Sequence, residues 1–465
     1  MSAIISSGAL RRRSFFTAYK ELLKLGVPVL LAQLGNIIVG QADTMMVGAY
    51  GTNELAAAAF VNNILLVPFV MIMGFASGVT PLVGALFGAG KPGDVGRMLR
   101  VGLQLNLGLS TLMVLAMGVM YFFLDRMGQD PVLLPLIRPY YLIVLGSMFI
   151  GGIFFPCMQM CNGVTDTATP MWIIIGTNVL NITGNYLLIF GKFGAPEWGL
   201  TGAGLSTLFA RVMSVVVFIS VILMAGRYRP YRTGLLQGRG LGPMRRKLFA
   251  TSWPVMVQAG VETLLWSVGA VMCGWFSKQQ LAGYQVVVSI SQLGFMTYMS
   301  FCTAVSIRVA NYAGTRDIDG MRRVTLAGLH LSLMLATGAS LLFLAAGDSL
   351  LHMFTPDPLV IHVGEALILP LIIYQYADAI QMLYANALRG TGHVMPLVWI
   401  SFICYVLLGI GSMYLLAKEA GLMSKGVFYS FCVALFVAAW LMRRAFMKEL
   451  GVEQLAKKQV KNSDY

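Results

Sequence analysis

Apolar segments long enough to cross a lipid bilayer recur along the whole chain. The hydrocarbon core of a bilayer is about 30 Å thick and takes about 20 apolar residues of helix to span. Of the 465 residues, 57% are hydrophobic and only 11% are charged, which is more apolar surface than one soluble core can bury. The sequence therefore predicts an all-α integral membrane protein without a separate soluble domain.

Turn-rich connections separate the apolar segments. GAYGTN, GAGKPGD, GKFGAPEWG and TPDP are four of them, and their Gly, Pro, Asn and Asp residues are typical of turns. Hydropathy and these breakers together predict about twelve transmembrane helices. The predicted spans lie near residues 25–48, 55–87, 99–124, 137–161, 170–191, 199–225, 249–276, 281–312, 324–347, 359–388, 394–417 and 424–443.

Lys and Arg residues concentrate in alternate connections, and this asymmetry sets the orientation. If the N-terminus is inside, the basic residues left outside are Arg126, Arg138, Lys192, Lys278, Lys418 and Lys425. The sequence thus predicts a multi-pass protein of the inner membrane with both termini in the cytoplasm. The predicted parts are a cytoplasmic segment 1–24, an N-lobe 25–225, a basic cytoplasmic linker 226–248, a C-lobe 249–443 and a cytoplasmic tail 444–465.

The two halves of the chain resemble each other. Residues 28–88 align with 254–314 without a gap, a shift of 226, and the same shift pairs Pro28 with Pro254 and Pro170 with Pro396. Six spans in each half give both halves the same sense in the membrane, so we predict two six-helix parallel repeats. Repeats of this kind are associated with alternating access in transporters.

Three acidic residues, Asp43, Glu262 and Asp378, lie well inside apolar segments. A charge near the bilayer centre costs about 2.5–3.5 kcal/mol, so such a residue is expected to face a cavity and carry function. It can bind a proton, a sodium ion or an organic cation, and competition among these for one negative site is antiport in its simplest form. The alternative is a structural acid that is paired across helices or protonated.

The acids do not follow the repeat. The shift of 226 places Glu262 on Asn36, Asp378 on Gly152 and Asp43 on Gly269. This asymmetry predicts two spatially separate sites rather than one central triad.

Polar neighbours accompany these acids. Asn181 and Asn185 are one helical turn apart in the fifth span, so both amide oxygens can point at one cation near Asp43, together with Thr207 of the sixth span. Hydrogen bonding between helices is the equal alternative. Tyr374 lies one turn before Asp378, where its hydroxyl either orients the carboxylate or reaches toward an interface.

Other chemistry is not indicated. The net charge of +14 arises from basic residues between apolar segments, which favours membrane topology over nucleic-acid binding. The six cysteines lie within apolar runs and the four histidines form no dense ligand motif. We expect a monomer in membrane lipid, without a cofactor other than a coupling ion, and no enzyme activity.

These stretches resemble the multidrug and toxin extrusion (MATE) family, in particular its bacterial NorM-type branch. The resemblance rests on QADTMMVG, GVETLLW, YQYADAIQ and LNITGNYLLIFGKFGAPEWG, whose order and spacing fit across nearly the whole chain. It implies two six-helix lobes around a large cleft that export amphipathic cations in exchange for Na⁺ or H⁺. By residue it implies an N-lobe cation site at Asp43 with Asn181, Asn185 and Thr207, and a C-lobe site at Glu262, Tyr374 and Asp378, with Na⁺ possible at either.

Three rival functions are open. A flippase of lipid-linked sugars has a similar double bundle, but its cavity needs several basic residues for phosphate, whereas the buried charges here are mainly acidic. A membrane-embedded enzyme would need a nucleophile or metal motif that the sequence does not contain. A cation channel normally gathers its charges in rings around one axis, whereas the acids here are shared unequally by two lobes.

Overall fold

The computed structural model describes the backbone of residues 2–128, 130–236 and 240–463, and the side chains of residues 15–128, 130–236 and 240–451. The side chains of residues 1–14 and 452–465, in the predicted segments 1–24 and 444–465, and all of residues 237–239 of the predicted linker lie outside these limits. The described part is all-helical, with no β-strand. Twelve helices, called helices 1 to 12, are long and apolar enough to cross a membrane: Phe15–Tyr50, Thr52–Gly88, Pro92–Tyr121, Leu134–Gly163, Ala168–Phe190, Gly199–Met224, Leu241–Phe276, Lys278–Thr315, Ile318–Phe354, Pro358–Thr391, Met395–Glu419 and Met423–Gly451.

The predicted number of spans is confirmed, and the helices mostly extend beyond the predicted ends. Helix 1, for example, was expected from residue 25 and is already helical at Phe15. Polar residues at a helix end can continue the backbone hydrogen bonding outside the apolar window, so hydropathy underestimates helix length. A further short helix, Arg229–Leu236, lies between helices 6 and 7 and is called the linker helix.

Two of the spans are not regular α-helices. Helix 2 is divided at Gly78 into Thr52–Ser77 and Val79–Gly88. Helix 11 contains two π-helical segments, Phe402–Ile410 and Tyr414–Glu419. Such wide turns are rare and occur frequently at functional sites.

The internal repeat is visible in the helix boundaries. Helix 2 begins at Thr52 and helix 8 at Lys278, while helix 3 begins at Pro92 and helix 9 at Ile318. In both pairs the starting residues differ by 226, the shift found in the sequence. The fold is therefore built from two six-helix repeats, as predicted.

Contacts divide the chain into two compact units. The N-lobe unit is Leu31–Met256, and the C-lobe unit is Met1–Leu30 together with Val257–Tyr465. The divisions thus lie inside helices 1 and 7, whereas the predicted lobes 25–225 and 249–443 end in connections. Leu30 and Met256 are again 226 residues apart, so both repeats divide at the same place.

Side-chain contacts at the beginning of helices 1 and 7 explain this division. Glu21 of helix 1 accepts a hydrogen bond from Arg308 Nε of helix 8 at 2.9 Å, within the C-lobe unit. Arg245 of helix 7 donates to Gln104 Oε1 of helix 3 at 2.8 Å, within the N-lobe unit. Hydropathy marks connections and carries no information on which bundle a helix end packs against.

Candidate functional site

Two polar contacts join helices 1 and 5 of the N-lobe unit. Asn178 Nδ2 donates to Asn36 Oδ1 at 3.4 Å, and Asn185 donates to Asp43. Both contacts connect residues 142 positions apart, so the two helices keep one register over two turns. This register aims the polar face of helix 5 at the Asp43 carboxylate.

Asn181 completes the group around Asp43. With its amide oriented to satisfy both of its neighbours, the nitrogen donates to Asp43 Oδ1 at 3.0 Å, and the oxygen accepts from the Thr207 hydroxyl at 3.1 Å. Asn181 and Asn185 are buried, with 4% and 0% of their surface exposed, while Asp43 is half-buried. The structure therefore brings together all four residues that the sequence placed in an N-lobe site.

Close packing of helices 5 and 6 holds this group in place. A Cβ atom at Gly184 would lie 2.4 Å from the Ser206 hydroxyl, so a larger residue there would force this hydroxyl to move. The Ser206 hydroxyl in turn donates to the main-chain oxygen of Asn181 at 2.8 Å. The amide of Asn181 is thus positioned by its neighbours before any ligand is present.

A carboxylate of the C-lobe unit is held by two phenols. Asp378 of helix 10 accepts a hydrogen bond from Tyr298 of helix 8. Tyr374, one turn earlier in helix 10, interacts with the same carboxylate and packs edge-on against Trp266 at 5.3 Å between ring centroids. Asp378 is 1% exposed, so the phenols replace the water that it loses on burial.

Glu262 of helix 7 is the open member of this site. It is half-buried and accepts no hydrogen bond from any described residue, whereas its charge interacts with that of Asp378 and with Arg389 of helix 10. The structure thus brings Glu262, Asp378 and Tyr374 into one site. Within this site, Glu262 supplies the carboxylate that accepts no hydrogen bond from a described residue.

The family model MatE matches residues 28–187 and 254–415, which is well over half of the chain. The chain belongs to the MatE family. The two matches begin 226 residues apart, so the family model recognises the same duplication that the sequence and the helix boundaries show. The resemblance drawn from the four motifs is confirmed.

Curated relatives of this MatE chain cover nearly its whole length. The multidrug resistance protein MdtK of Pectobacterium atrosepticum is 27% identical over 92% of this chain and 95% of its own length. The multidrug resistance protein NorM of Aliivibrio fischeri is 27% identical over 94% of this chain and 97% of its own length. Both are named for drug resistance.

Solved transporters share the fold. The eukaryotic MATE transporter AtDTX14 superposes with a TM-score of 0.86 at 17% identity, over 95% of this chain and 99% of its own. The Vibrio cholerae MATE transporter VcmN gives 0.82 at 19% identity, over 95% and 99% of the two chains. These matches establish the twelve-helix architecture of this multi-pass membrane protein.

The three acids of the two sites form no ion pair with a described basic residue. Within the described residues, no Lys, Arg or His nitrogen lies within 4.0 Å of Asp43, Glu262 or Asp378. A buried Oδ1 of Asn185 also has no hydrogen-bond partner. Carboxylate and amide oxygens are ligands of hard cations, so both sites fit a monovalent cation such as Na⁺, and each carboxylate can alternatively take a proton.

Two half-buried arginines interact with the acids of these sites and were not predicted as site residues. Arg211 donates to the Ser147 hydroxyl at 2.8 Å, stacks over Phe69 at 4.8 Å and interacts electrostatically with Asp43. Arg389 interacts electrostatically with Glu262. Basic residues inside apolar windows were the available signal for Arg211, whereas Arg389 stands at the end of its predicted span and gave none.

Proposed function

We propose that this MatE protein is a secondary antiporter that exports cationic amphipathic organic compounds in exchange for Na⁺ or H⁺ by alternating access. The observation that carries the proposal is the placement of three acids, Asp43, Glu262 and Asp378, in two separate units without an ion pair. Charges that costly to bury are kept where they bind a mobile cation. The names of the curated relatives support drugs as the cargo.

Each unit has its own part in the cycle. Asp43, with Asn181, Asn185 and Thr207, binds a cation in the N-lobe unit, and Glu262, with Asp378 and Tyr374, binds one in the C-lobe unit. A coupling ion that enters from outside binds the carboxylate that the organic cation occupied and so displaces the organic cation. Each elementary charge that moves inward across 100 mV supplies about 2.3 kcal/mol.

The proposal also covers the location and the assembly of the protein. The excess of Lys and Arg in alternate connections supports an inner-membrane protein with both termini in the cytoplasm. We expect a monomer in membrane lipid. We expect no enzyme activity, and the acidic character of both sites disfavours a flippase of lipid-linked sugars.

Dye transport in liposomes tests the proposal. Purified protein is reconstituted, a Na⁺ gradient and a proton gradient are imposed separately, and efflux of a fluorescent organic cation is recorded. We expect efflux to follow at least one gradient and to fall at least tenfold in Asp43→Asn, Glu262→Gln and Asp378→Asn, since each change removes the charge that binds the cation.

A matched control separates the sites from general effects of charge removal. Glu365, whose side chain is 50% exposed, lies in helix 10 away from both sites, and Glu365→Gln should transport at the native rate. Dye flux that follows neither gradient would contradict antiport. Transport of a lipid-linked sugar by the same liposomes would point to the flippase instead.

A further inference from the structure

Four residues of the C-lobe unit carry buried polar atoms that lack a partner among the described residues, and we call them the inner polar group: Gln258 of helix 7, Arg389 of helix 10, and Ser401 and Tyr405 of helix 11. The buried atoms without a hydrogen bond in the described chain are Gln258 Nε2, Arg389 Nε, Ser401 Oγ and Tyr405 Oη. Gln258 and Tyr405 are 0% exposed and Ser401 is 1% exposed. Buried polar atoms are normally paired, and exceptions call for a bound water, an ion or a function.

Tyr405 is the member that faces the acids. Its phenol interacts electrostatically with Glu262, Asp378 and Arg389. The packing of helices 7 and 11 agrees with this placement. Gly409 of helix 11 lies against Leu265 of helix 7, since a Cβ atom at Gly409 would be 3.0 Å from Leu265 Cδ1. The two helices run parallel, and Tyr405 and Glu262 each precede these contact residues by about one turn. The phenol thus lies in the same region of the C-lobe unit as the Glu262 carboxylate, which accepts no hydrogen bond from a described residue.

The backbone at Tyr405 is unusual in the same place. Tyr405 lies in the π-helical segment Phe402–Ile410, which widens the turn and changes the angular position of the side chains that follow. A regular α-helix would orient the phenol differently. An unpartnered hydroxyl and a rare backbone conformation at one residue are two independent features that point to a ligand.

The charges of the region match a single positive ion. Arg389 donates to Gln258 Oε1 at 3.1 Å and interacts with Glu262. Since a guanidinium is always charged, the two carboxylates of Glu262 and Asp378 together with Arg389 leave one net negative charge. One monovalent cation neutralises the site.

We propose that the Tyr405 hydroxyl oxygen is a further ligand of a monovalent metal cation that Glu262 binds in the C-lobe unit. Arg389 and Gln258 then limit the space that the ion can occupy, since their free N–H groups repel the ion. The same groups can donate hydrogen bonds to Glu262 once the ion has left. Hydroxyl and carboxylate oxygens are the hard ligands that such an ion requires. The inference rests on the proposed antiport and adds to it a residue from helix 11.

Tyr405→Phe tests this role because it removes only the hydroxyl. A hydroxyl that is buried without a partner contributes nothing to folding, so the variant should be at least as stable as the native protein in the absence of Na⁺. The control is Tyr384→Phe in helix 10, since Tyr384 is also buried, at 5% exposure, and its phenol interacts with Arg443 rather than with either acid.

Two measurements are made with Na⁺ as the probe. The first is the rise in the unfolding temperature Tm of the purified protein as Na⁺ replaces a large organic cation at constant ionic strength. The second is the Na⁺ concentration that gives half-maximal dye efflux from liposomes. Loss of one ligand is expected to raise the half-saturating Na⁺ concentration about tenfold in Tyr405→Phe and to leave Tyr384→Phe unchanged. In a Glu262→Gln background the effect of Tyr405→Phe should vanish.

The outcomes distinguish this inference from the proposed antiport. An unchanged half-saturating concentration in Tyr405→Phe overturns the ligand role while dye export by the native protein stands. Absence of gradient-driven export by the native protein overturns the antiport, and the Tm titration still decides whether Tyr405 contributes to Na⁺ binding. If Na⁺ stabilises neither the native protein nor the variant, the ligand role is overturned.

Discussion

Asp43→Asn should abolish transport and leave the fold at least as stable as before. Both hydrogen bonds of the carboxylate, from Asn185 and Asn181, go to the same oxygen, Oδ1. An asparagine can present its amide oxygen there and keep both bonds. The only large change is loss of the charge, and with it the ability to bind a cation.

The balance of the two energies gives the size of the effect. Removing a charge from within the membrane relieves about 2.5–3.5 kcal/mol. Two hydrogen bonds to an ion become two neutral ones, which weakens each by about 1 kcal/mol. Asp43→Asn should therefore stabilise the protein by about 0.5–1.5 kcal/mol in the absence of a coupling ion.

Asp43→Ala provides the contrast. It removes the same charge but also the acceptor, which leaves two buried amide nitrogens of Asn181 and Asn185 without partners, at a cost of about 1–3 kcal/mol each. Thermal unfolding in detergent and dye efflux from liposomes are measured for both variants. The reasoning is refuted if Asp43→Asn unfolds at a lower temperature than Asp43→Ala, or if either variant exports dye at the native rate.

Two further changes test single contacts, one at the linker helix and one at Asp378. A Cβ atom at Gly234 of the linker helix would lie 1.8 Å from the main-chain oxygen of Gly93, so Gly234→Ala should detach this helix and increase tryptic cleavage at Arg232. The control is Gly93→Ala, because a Cβ atom at Gly93 meets nothing within 4 Å. Equal cleavage of the two variants would contradict the contact. Tyr298→Phe removes the hydrogen bond to Asp378 and should destabilise the protein by about 1.5–3 kcal/mol in thermal unfolding, and an unchanged Tm would show that the bond contributes nothing.

The sequence predicts the number of helices and the N-lobe group because both depend on local pattern. Apolar windows and turn residues set the spans, and the one-turn spacing of Asn181 and Asn185 places both on one face of helix 5. The structure shows that this face meets Asp43. The functional roles of these residues stay predictions that the transport assays will test.

Contacts between distant helices could not be predicted in the same way. Tyr298 and Asp378 are 80 residues apart, and a tyrosine in an apolar window does not reveal its partner. The π-helical segment that holds Tyr405 has no sequence signature among uniformly apolar residues. The division of the units after Leu30 and Met256 also lacks a breaker at the boundary itself, although Pro28 and Pro254 lie two residues before it.

Packing explains why the acids break the symmetry of a duplicated fold. Gly152, which the repeat pairs with Asp378, has no room for a side chain, since a Cβ atom there would lie 2.4 Å from the Ser110 hydroxyl. At Gly269, the counterpart of Asp43, a Cβ atom would lie 2.9 Å from the ring of Phe431.

Asn36, the counterpart of Glu262, is engaged by Asn178. In each unit the place that carries an acid in the other unit is therefore filled by helix packing or by an amide pair. A duplication that kept both sets of acids would bury more negative charge than the two arginines, Arg211 and Arg389, can offset. Retaining different acids in each unit leaves one cation site per unit, and the two sites can then differ in the ion or cargo that they bind.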